Sequence, residues 1–462
     1  MPDGSIRYKA RLVIRGFEQT EYGETYAPVS KLTTFRYMIA EAVQHDLLFD
    51  HLDVVTAFLN PAIDEEVYMI LPEGIPGAGT IVRLKKALYG LKTAPRLWYQ
   101  DINGFLISLG FIQSLADPNL YIKQSGSGTG SIYLLLYVDD MQLFYPQNAK
   151  VAADYIKSRL MKQYRITNLG PTRQFLGIDI QRHNDRSISL GQPAYFKLIL
   201  KRFQMEEAHP VSTPLDSHTK LDEISEIALD GKGTKLYQAI VGSLMYAALA
   251  TRPDISYAVA SLSRYNASPR IGHLTAAKRV LRYLKATADY RLVYRKSTND
   301  RLIGFTDSDW AGDSTDRKSQ GGYIFGRNGC GPISWQSRKQ DLVAASTLEA
   351  EYIACSEASR EARWLIQLRN DVHGNHVHGK DFAPPSIRCD NQGALSIVST
   401  GIIKQRTKHI DICYHNSWDL HARCIVEYSY VNTDKNTADL FTKPLPIEKH
   451  QKFTAATGLR GL

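Results

Sequence analysis

The sequence predicts a multidomain protein of α+β and α/β character. Its 462 residues exceed what one typical core holds. Of these residues 44% are hydrophobic, which is enough to form globular cores. Apolar runs of strand length alternate with segments of helical spacing such as residues 33–45. At about residue 299 the pattern changes to three short strand-like runs followed by a long amphipathic helix. Length and pattern together indicate two to four folded units.

Charge and cysteine usage narrow the classes of partner and compartment. The formal net charge is +9, which favours a polyanionic partner, although an ordinary basic protein fits the charge equally well. The odd number of cysteines and the lack of a CxxC pair argue against a disulfide framework and a zinc knuckle, and for a reducing compartment. No apolar run approaches the roughly 20 residues of a membrane span, so we expect no membrane partner. The cysteines are Cys330, Cys355, Cys389, Cys413 and Cys424.

Three acids follow apolar strand-like segments in the first part of the chain. Asp139 and Asp140 come directly after the apolar run 132–138 and form the tip of a predicted hairpin, and Asp53 lies within another extended segment, 47–60. Adjacent carboxylates repel each other and are costly to bury without a cation. If the two strands are neighbours, the three carboxylates converge and suit two Mg²⁺ ions. A solvated turn is the alternative explanation for a bare Asp-Asp pair.

A second set of acids lies on four separate elements after residue 299. Two of them end predicted strands, and two lie on predicted helices that would pack over the sheet. By count alone such a set means little, and for the last acid a charge that complements a helix dipole is an alternative explanation. The four are Asp307, Glu349, Asp390 and Asp439, and the neighbouring acids Asp309, Asp313 and Glu351 are competitors, of which Glu351 is the strongest.

Segments along the whole chain resemble, in the same order, the pol sequences of copia-type retrotransposons. The signature YVDD (137–140) and the segment LDVVTAFLN (52–60) resemble the metal-binding motifs of the reverse transcriptase. The other similar segments are KARLVIRGFEQ, YAPVSKLTTFR, LYGLKTAPRLWY, QFLGIDI, GSLMYAALATRPDISYAV and AAKRVLRYLK. The resemblance covers essentially all 462 residues.

The resemblance implies a right-hand polymerase with palm, fingers and thumb, followed by a ribonuclease H-like α/β domain. Because the chain begins late relative to this family, we expect the fingers to be N-terminally truncated. We also expect Gln142 to face a core or to alter the hairpin, because the family is more apolar there. The implied domains are 1–205 (fingers and palm), 206–298 (a thumb- or connection-like helical region with an acidic linker, 214–235), 299–450 (ribonuclease H-like) and 451–462 (a tail).

The resemblance implies roles for individual residues by their positions in the matching segments. The polymerase metal ligands would be Asp53, Asp139 and Asp140, and the ribonuclease H ligands Asp307, Glu349, Asp390 and Asp439. Glu349 is preferred over Glu351 because it occupies the family's motif position. Phe58 matches the aromatic steric gate that selects deoxynucleotides, with an ordinary core phenylalanine as the alternative. The remaining nucleotide-binding candidates are Gly90 and Lys92, in the motif before YVDD, and Lys9 and Arg11, which resemble basic fingers residues that hold the triphosphate.

The implied function is RNA-directed DNA synthesis combined with cleavage of RNA in RNA–DNA hybrids. The implied cofactor is Mg²⁺, two ions per site, with Mn²⁺ as an alternative. The implied partners are an RNA template, a DNA primer, RNA–DNA hybrid and dNTPs, together with the integrase and protease of the same polyprotein. The implied location is a cytoplasmic virus-like particle, with nuclear entry as a further option. Two other functions stay open: an inactive truncated remnant that binds nucleic acid, and ribonuclease H activity alone.

Overall fold

A computed structural model describes residues 10–20, 22–124, 130–224, 227–374, 382–401 and 412–461. Its helices are α1 Leu32–Gln44, α2 Ala94–Ser108, α3 Lys150–Gln163, α4 Pro193–Arg202, α5 Gly231–Ala250, α6 Ser256–Ser263, α7 Ile271–Ala286, α8 Thr347–His373, α9 Gln392–Thr400, α10 Asn416–Ala422 and α11 Ile447–Ala456. Within the described ranges, no helix has both the length and the apolar character needed to cross a membrane.

The strands of the described residues fall into four sheets. They are β1 Leu48–Val54, β2 Tyr68–Ile70, β3 Ile81–Arg83, β4 Ile112–Gln113, β5 Leu120–Gln124, β6 Ser131–Tyr137, β7 Asp140–Tyr145, β8 Ile166–Pro171, β9 Gln174–Phe175, β10 Ile178–Arg182, β11 Ile188–Gly191, β12 Tyr290–Tyr294, β13 Leu302–Asp309, β14 Gln320–Arg327, β15 Pro332–Lys339, β16 Ser386–Cys389, β17 Glu427–Tyr430 and β18 Leu459–Gly461.

The first of two units comprises residues 1–31 and 47–172. Its main sheet has the strand order β4-β5-β6-β7-β1-β8, and every neighbouring pair in it is antiparallel. Strand β6 is buried along its centre because residues 132–136 are all apolar or aromatic. Side chains of α2 and α3 join those of the sheet in one core. The predicted hairpin of β6 and β7 is therefore confirmed, and it lies in the middle of the sheet.

The described part of the N-terminal segment contains no strand. Residues 10–20 and 22–31 contain only a short 3-10 turn, Gly16–Glu18. This segment follows the loop after β3 at close range, and Ile14 N donates a hydrogen bond to Tyr89 O over 2.8 Å. Gly90 has a φ of +93°, and a Cβ there would lie 2.1 Å from Ile14 O. The N-terminal segment therefore contacts this loop through a close approach at Gly90, and not through the hydrogen-bond ladder of paired strands.

The second unit comprises residues 32–46 and 173–462. One of its sheets has the antiparallel order β18-β12-β11-β10-β9, and helices α4 to α7 share a separate apolar core. A fully buried ion pair joins Arg252 to Asp254 at 2.7 Å. The acidic linker predicted at 214–235 is shorter than expected. Helix α5 begins at Gly231 because the Asp230 carboxylate accepts a hydrogen bond from Gly233 N and so caps the first turn.

A mixed sheet in the second unit contains the strands predicted after residue 299. Its order is β15-β14-β13-β16-β17, with the first three strands antiparallel and the last three parallel. The long amphipathic helix predicted here is α8, whose apolar side includes Ala350, Ile353 and Leu365, all fully buried. The sheet and helix thus confirm the strand and helix predictions for residues 302–373.

The C-terminal segment differs from the prediction in two ways. Asp439 lies in a 3-10 turn, Thr437–Phe441, and not in a regular helix, because Asn436 caps this turn and prolines follow closely at 444 and 446. Residues predicted to form a tail, 451–462, continue α11 to Ala456 and then form β18. Leu459 of β18 pairs with Leu292 of β12, and both side chains are buried.

Candidate active sites

The antiparallel register of β1 and β7 brings the first three predicted acids together. Asp53 lies directly opposite Asp140, and Val54 N donates a hydrogen bond to Asp139 O over 2.9 Å. All three aspartates are partly exposed. The sequence prediction that Asp53 and the hairpin acids converge on one point is therefore confirmed for the backbone.

The tip of the β6–β7 hairpin is held in a constrained conformation. Val138 has a φ of 58°, in the left-handed region that a β-branched residue rarely adopts. The buried Trp98 of α2 donates a hydrogen bond from Nε1 to Val138 O over 2.7 Å. This contact fixes the turn that carries Asp139 and Asp140.

The charges of the first cluster act on one another. Burial raises the pKa of Asp139, the nearby carboxylates of Asp140 and Asp53 raise it further, and the Arg11 guanidinium opposes them. His51, two residues before Asp53 on the same face of β1, has Nε2 2.9 Å from Asp140 Oδ1. The site thus brings three carboxylates together, an environment in which a divalent cation binds.

The predicted nucleotide-binding residues separate into two groups. Phe58 and Arg11 both contact Tyr89: the Phe58 and Tyr89 ring centroids are 5.0 Å apart, and the Arg11 guanidinium lies 5.8 Å from the Tyr89 ring centroid. Burial raises the pKa of Tyr89, and the charges of Asp139 and Asp53 also raise it, so this aromatic group lies near the acids.

Gly90 and Lys92 instead contact the N-terminal segment. Lys92 Nζ donates a hydrogen bond to Gln19 O over 3.0 Å and lies 3.8 Å from the Tyr22 ring centroid. Gly90 provides the close approach to Ile14 described above. Lys9 lies outside the described residues.

One neighbour of the first cluster, His51, was not predicted from the sequence. The alternation of side chains along a strand could have placed His51 beside Asp53.

The second cluster is assembled from β13, α8 and two C-terminal segments. Asp307 lies on β13 with 2% of its surface exposed, and Asp439 is fully buried. Thr442 Oγ1 donates a hydrogen bond to Asp307, and Asn436 Nδ2 donates one to Thr306 O over 3.0 Å, which anchors the Asp439 turn to the strand. Asp390 directly follows β16, the parallel neighbour of β13.

The structure corrects the choice of glutamate. Glu351, and not the predicted Glu349, is directed at this cluster: its Oε1 accepts a hydrogen bond from Ser308 N over 3.3 Å, and ligand atoms of Glu351, Cys389 and Asp390 lie within 4.8 Å of one another. Glu349 Oε2 accepts a hydrogen bond from Ala345 N over 2.6 Å. Glu349 therefore serves the N-terminus of α8.

The pattern Ser346-x-x-Glu349 is a sequence signature of helix capping that could have indicated this role. The Ser346 side chain accepts a hydrogen bond from Glu349 N at the start of α8. The two glutamates lie two positions apart on the helix, so they point to different sides of it.

Burial and crowding shift the acids of the second cluster. Burial raises the pKa of Asp307 to about 7, with Asp439 and Asp390 adding to the increase and Lys443 opposing it. Burial, followed by the charges of Asp307, Cys389 and Asp390, raises the pKa of Glu351.

Two lysines hold the remaining acid of this cluster in its charged form. Lys443 Nζ lies 2.7 Å and Lys449 Nζ 2.5 Å from the carboxylate of Asp439. Although burial favours the neutral acid, the two ammonium groups lower the pKa of Asp439. Burial and the charge of Asp439 also raise the pKa of the nearby Asp309. Asp313 instead forms salt bridges with Arg264 and Lys339.

Comparison with known proteins identifies the class to which the first cluster belongs. Residues 3–217 match the family described as reverse transcriptase (RNA-dependent DNA polymerase). This range contains all three acids of the first cluster and its hairpin.

Relatives extend the match to nearly the whole chain. The Pol polyprotein of transposon TNT 1-94 from Nicotiana tabacum is 39% identical over 98% of this chain, and that of transposon RE2 from Arabidopsis thaliana is 38% identical over 99%. A transposon Ty5-1 protein of Saccharomyces cerevisiae is 35% identical and is covered along its full length by 67% of this chain. The chain therefore belongs to the retrovirus-related Pol proteins of copia-type retrotransposons.

The match covers only part of the plant relatives, because this chain spans about a third of their length (34% and 31%). Among solved structures, ribonuclease H1 from Halobacterium salinarum aligns with 31% of this chain and 94% of its own, at 14% identity and a TM-score of 0.22.

Proposed function

We propose that this chain synthesises DNA on an RNA template and cleaves the RNA strand of RNA–DNA hybrids. The observation that carries the first activity is the register that sets Asp53 opposite Asp140 and beside Asp139, within the range that matches the reverse transcriptase family. The substrates follow from that chemistry: an RNA template, a DNA primer and dNTPs. The net charge of +9 suits these polyanions.

The first cluster fits a pair of divalent ions held by Asp53, Asp139 and Asp140. Mg²⁺ prefers carboxylate oxygens and retains several waters, so three partly exposed carboxylates are a suitable set, and Mn²⁺ accepts the same donors. When bound, two such ions supply the positive charge that stabilises the attacking and leaving oxygens of an in-line phosphoryl displacement. Burial and the neighbouring carboxylates of Asp140 and Asp53 raise the pKa of Asp139, and a bound cation would offset both effects.

Neighbouring side chains would orient the reactants at the first cluster. His51 holds Asp140 through the 2.9 Å contact, and Trp98 holds the hairpin tip. We propose that Phe58, supported by the Tyr89 ring, excludes a ribose 2′-hydroxyl and so selects dNTPs, and that Arg11 contributes positive charge for a triphosphate. The contacts of Lys92 and Gly90 support a role in holding the N-terminal segment.

The second cluster supports the ribonuclease H activity. The sheet places Asp307 and Asp390 on or just after adjacent parallel strands, and α8 and the 3-10 turn add Glu351 and Asp439. These four carboxylates fit divalent ions by their donor chemistry, and burial, together with the charge of neighbouring acids, raises the pKa values of Asp307 and Glu351. We propose Glu351 as the glutamate ligand, in place of Glu349.

The polymerase proposal is tested by primer extension with the full chain. Oligo(dT) on poly(rA), Mg²⁺ and dTTP should give extension with the wild type and none with Asp139→Asn. Asp154→Asn is a matched control, because Asp154 is an exposed acid of the same unit that pairs with Lys150; it should extend normally. An inactive, folded wild type would refute the polymerase proposal.

The ribonuclease proposal is tested separately with a labelled RNA–DNA hybrid. The wild type should cleave the RNA strand in Mg²⁺, and Asp307→Asn should not. Asp316→Asn, an exposed acid that pairs with Lys339, is the matched control. Equal cleavage by the wild type and Asp307→Asn would refute this assignment, as would a folded wild type that leaves the hybrid intact.

A further inference from the structure

A buried glutamate in the second unit is shared by two histidines, away from both carboxylate clusters. Glu41 lies on α1 with 2% of its side chain exposed. Its Oε2 is 3.3 Å from Nε2 of His45, and its Oε1 is 3.0 Å from Nε2 of His373. The spacing of four residues sets Glu41 and His45 on one face of the helical turn, and His373 is the last residue of α8.

We propose that Glu41, His45 and His373 form a binding site for a divalent transition metal of the zinc class. One nitrogen or oxygen of each residue already lies within 4.8 Å of the other two. Imidazole nitrogen and carboxylate oxygen are common ligands of Zn²⁺, with bonds of about 2.0–2.2 Å, which set tetrahedral ligands about 3.4 Å apart. His45, with 38% of its side chain exposed, has room to move toward that spacing.

Two guanidinium groups lie close to the carboxylates around this site. Arg327 forms a salt bridge with Glu41 and also lies 3.1 Å from Asp300, and the Arg369 guanidinium acts on Glu41 and Asp300. These two guanidinium groups balance the charges of the two carboxylates.

Neighbouring groups fix two of the three ligands in place. Arg327 contacts Oε1 of Glu41 and so orients the carboxylate, and the ring of Phe382 lies 4.9 Å from that of His373, centroid to centroid. Such outer contacts are what hold metal ligands in a productive orientation. The partly exposed His45 provides the entry path. A bound ion would join the end of α1 to the end of α8, independently of the polymerase and nuclease activities.

The test is a Zn²⁺ titration of the full chain after removal of metals with EDTA. The parent protein carries Asp139→Asn and Asp307→Asn, so that the two carboxylate clusters contribute less binding. Calorimetry should give one Zn²⁺ equivalent in the parent, and His45→Ala and His373→Ala should each weaken it by at least about tenfold. Zn²⁺ should also raise the Tm of the parent more than that of His45→Ala.

Two controls separate this site from other histidines. His218→Ala removes an exposed histidine elsewhere in the same unit, and a double variant, His376→Ala with His378→Ala, removes the histidines that follow His373 in the sequence; both should bind Zn²⁺ like the parent. Circular dichroism checks that each variant is folded. Because His45 is exposed, we expect His45→Ala to fold like the parent. Unchanged Zn²⁺ affinity in His45→Ala and His373→Ala, or a loss confined to the double variant, would overturn the proposal.

Discussion

The two carboxylate clusters differ in how many elements build them and in how deeply they lie. The first comes from one hairpin and the adjacent strand β1, and its three aspartates are partly exposed. The second needs two strands, a helix and a 3-10 turn, and its Asp307 and Asp439 are 2% and 0% exposed. Loss of a carboxylate from a partly exposed cluster should change the folding stability little. Loss of a carboxylate from a buried cluster should change both function and stability.

The positive charges that lie close to the carboxylates also differ between the two clusters. Lys443 and Lys449 contact Asp439 directly at the second cluster, while at the first cluster Arg11 opposes the pKa increase of Asp139 without a salt bridge to it among the described contacts. Substitutions at the first cluster should therefore affect activity and leave the stability of the metal-free chain nearly unchanged. Those at the second should affect both activity and stability.

The largest expected effect separates the two glutamates of α8. Glu351→Gln should reduce hybrid cleavage by roughly 10³-fold, because loss of a metal ligand removes several kcal/mol of transition-state stabilisation. Glu349→Gln, which alters the contact with Ala345 N at the start of α8, should cleave within about threefold of the wild type. Cleavage rates of the labelled hybrid measure both, and the opposite ranking would restore Glu349 as the ligand.

The acids of the two clusters also show what could and could not be predicted from the sequence. The first cluster was predictable because YVDD fixes two acids in one turn and an apolar strand leads to Asp53. The choice between Glu349 and Glu351 depended on the rotation of α8 against β13, which motif position does not determine. The 3-10 turn at Asp439 and strand β18 were missed for a similar reason, since each depends on partners far away in the sequence, such as Thr306 and β12.

The next effect concerns stability without metal. The pKa of Asp307 is raised to about 7 in the folded state, above its value of about 3.9 in an unfolded chain. Its contribution to stability is therefore fully present below about pH 4 and is lost as pH rises through 7. In EDTA, Asp307→Asn should be more stable than the wild type at pH 8, and the difference should shrink toward pH 5.

Urea unfolding at several pH values measures this difference in the free energy of unfolding. The matched variant at the first cluster, Asp53→Asn, should change the free energy of unfolding by no more than about 0.5 kcal/mol, as is usual for a substitution at a partly exposed site. A stabilisation by Asp307→Asn that is independent of pH would contradict the explanation from its carboxylate.

A further effect follows from metal addition. Mg²⁺ at about 100 times its dissociation constant should stabilise the chain by about 2.7 kcal/mol per site that binds only in the folded state. Glu351→Gln should lose part of this stabilisation, and Asp140→Asn the part that belongs to the first cluster. Thermal unfolding in EDTA and in Mg²⁺ provides the comparison, and an identical Mg²⁺ shift in both variants and the wild type would exclude these acids as ligands.

The smallest effect concerns a polar residue next to the first cluster. Gln142 on β7 is fully buried, so the prediction that it faces a core is confirmed, and its Oε1 accepts a hydrogen bond from Thr172 Oγ1 over 2.5 Å. Replacing both partners by apolar residues of similar shape, as Gln142→Leu with Thr172→Val, should change stability by less than about 1 kcal/mol, whereas Thr172→Val alone should cost about 1–3 kcal/mol. Urea unfolding of the single and double variants distinguishes these values, and equal losses in both would contradict the pairing.

The central claim is that one chain carries two independent carboxylate sites. The most direct measurement assays primer extension and hybrid cleavage side by side in Asp139→Asn and Asp307→Asn. We predict that Asp139→Asn loses extension and retains cleavage, and that Asp307→Asn loses cleavage and retains extension. Loss of both activities in each folded variant, or of neither, would contradict the claim.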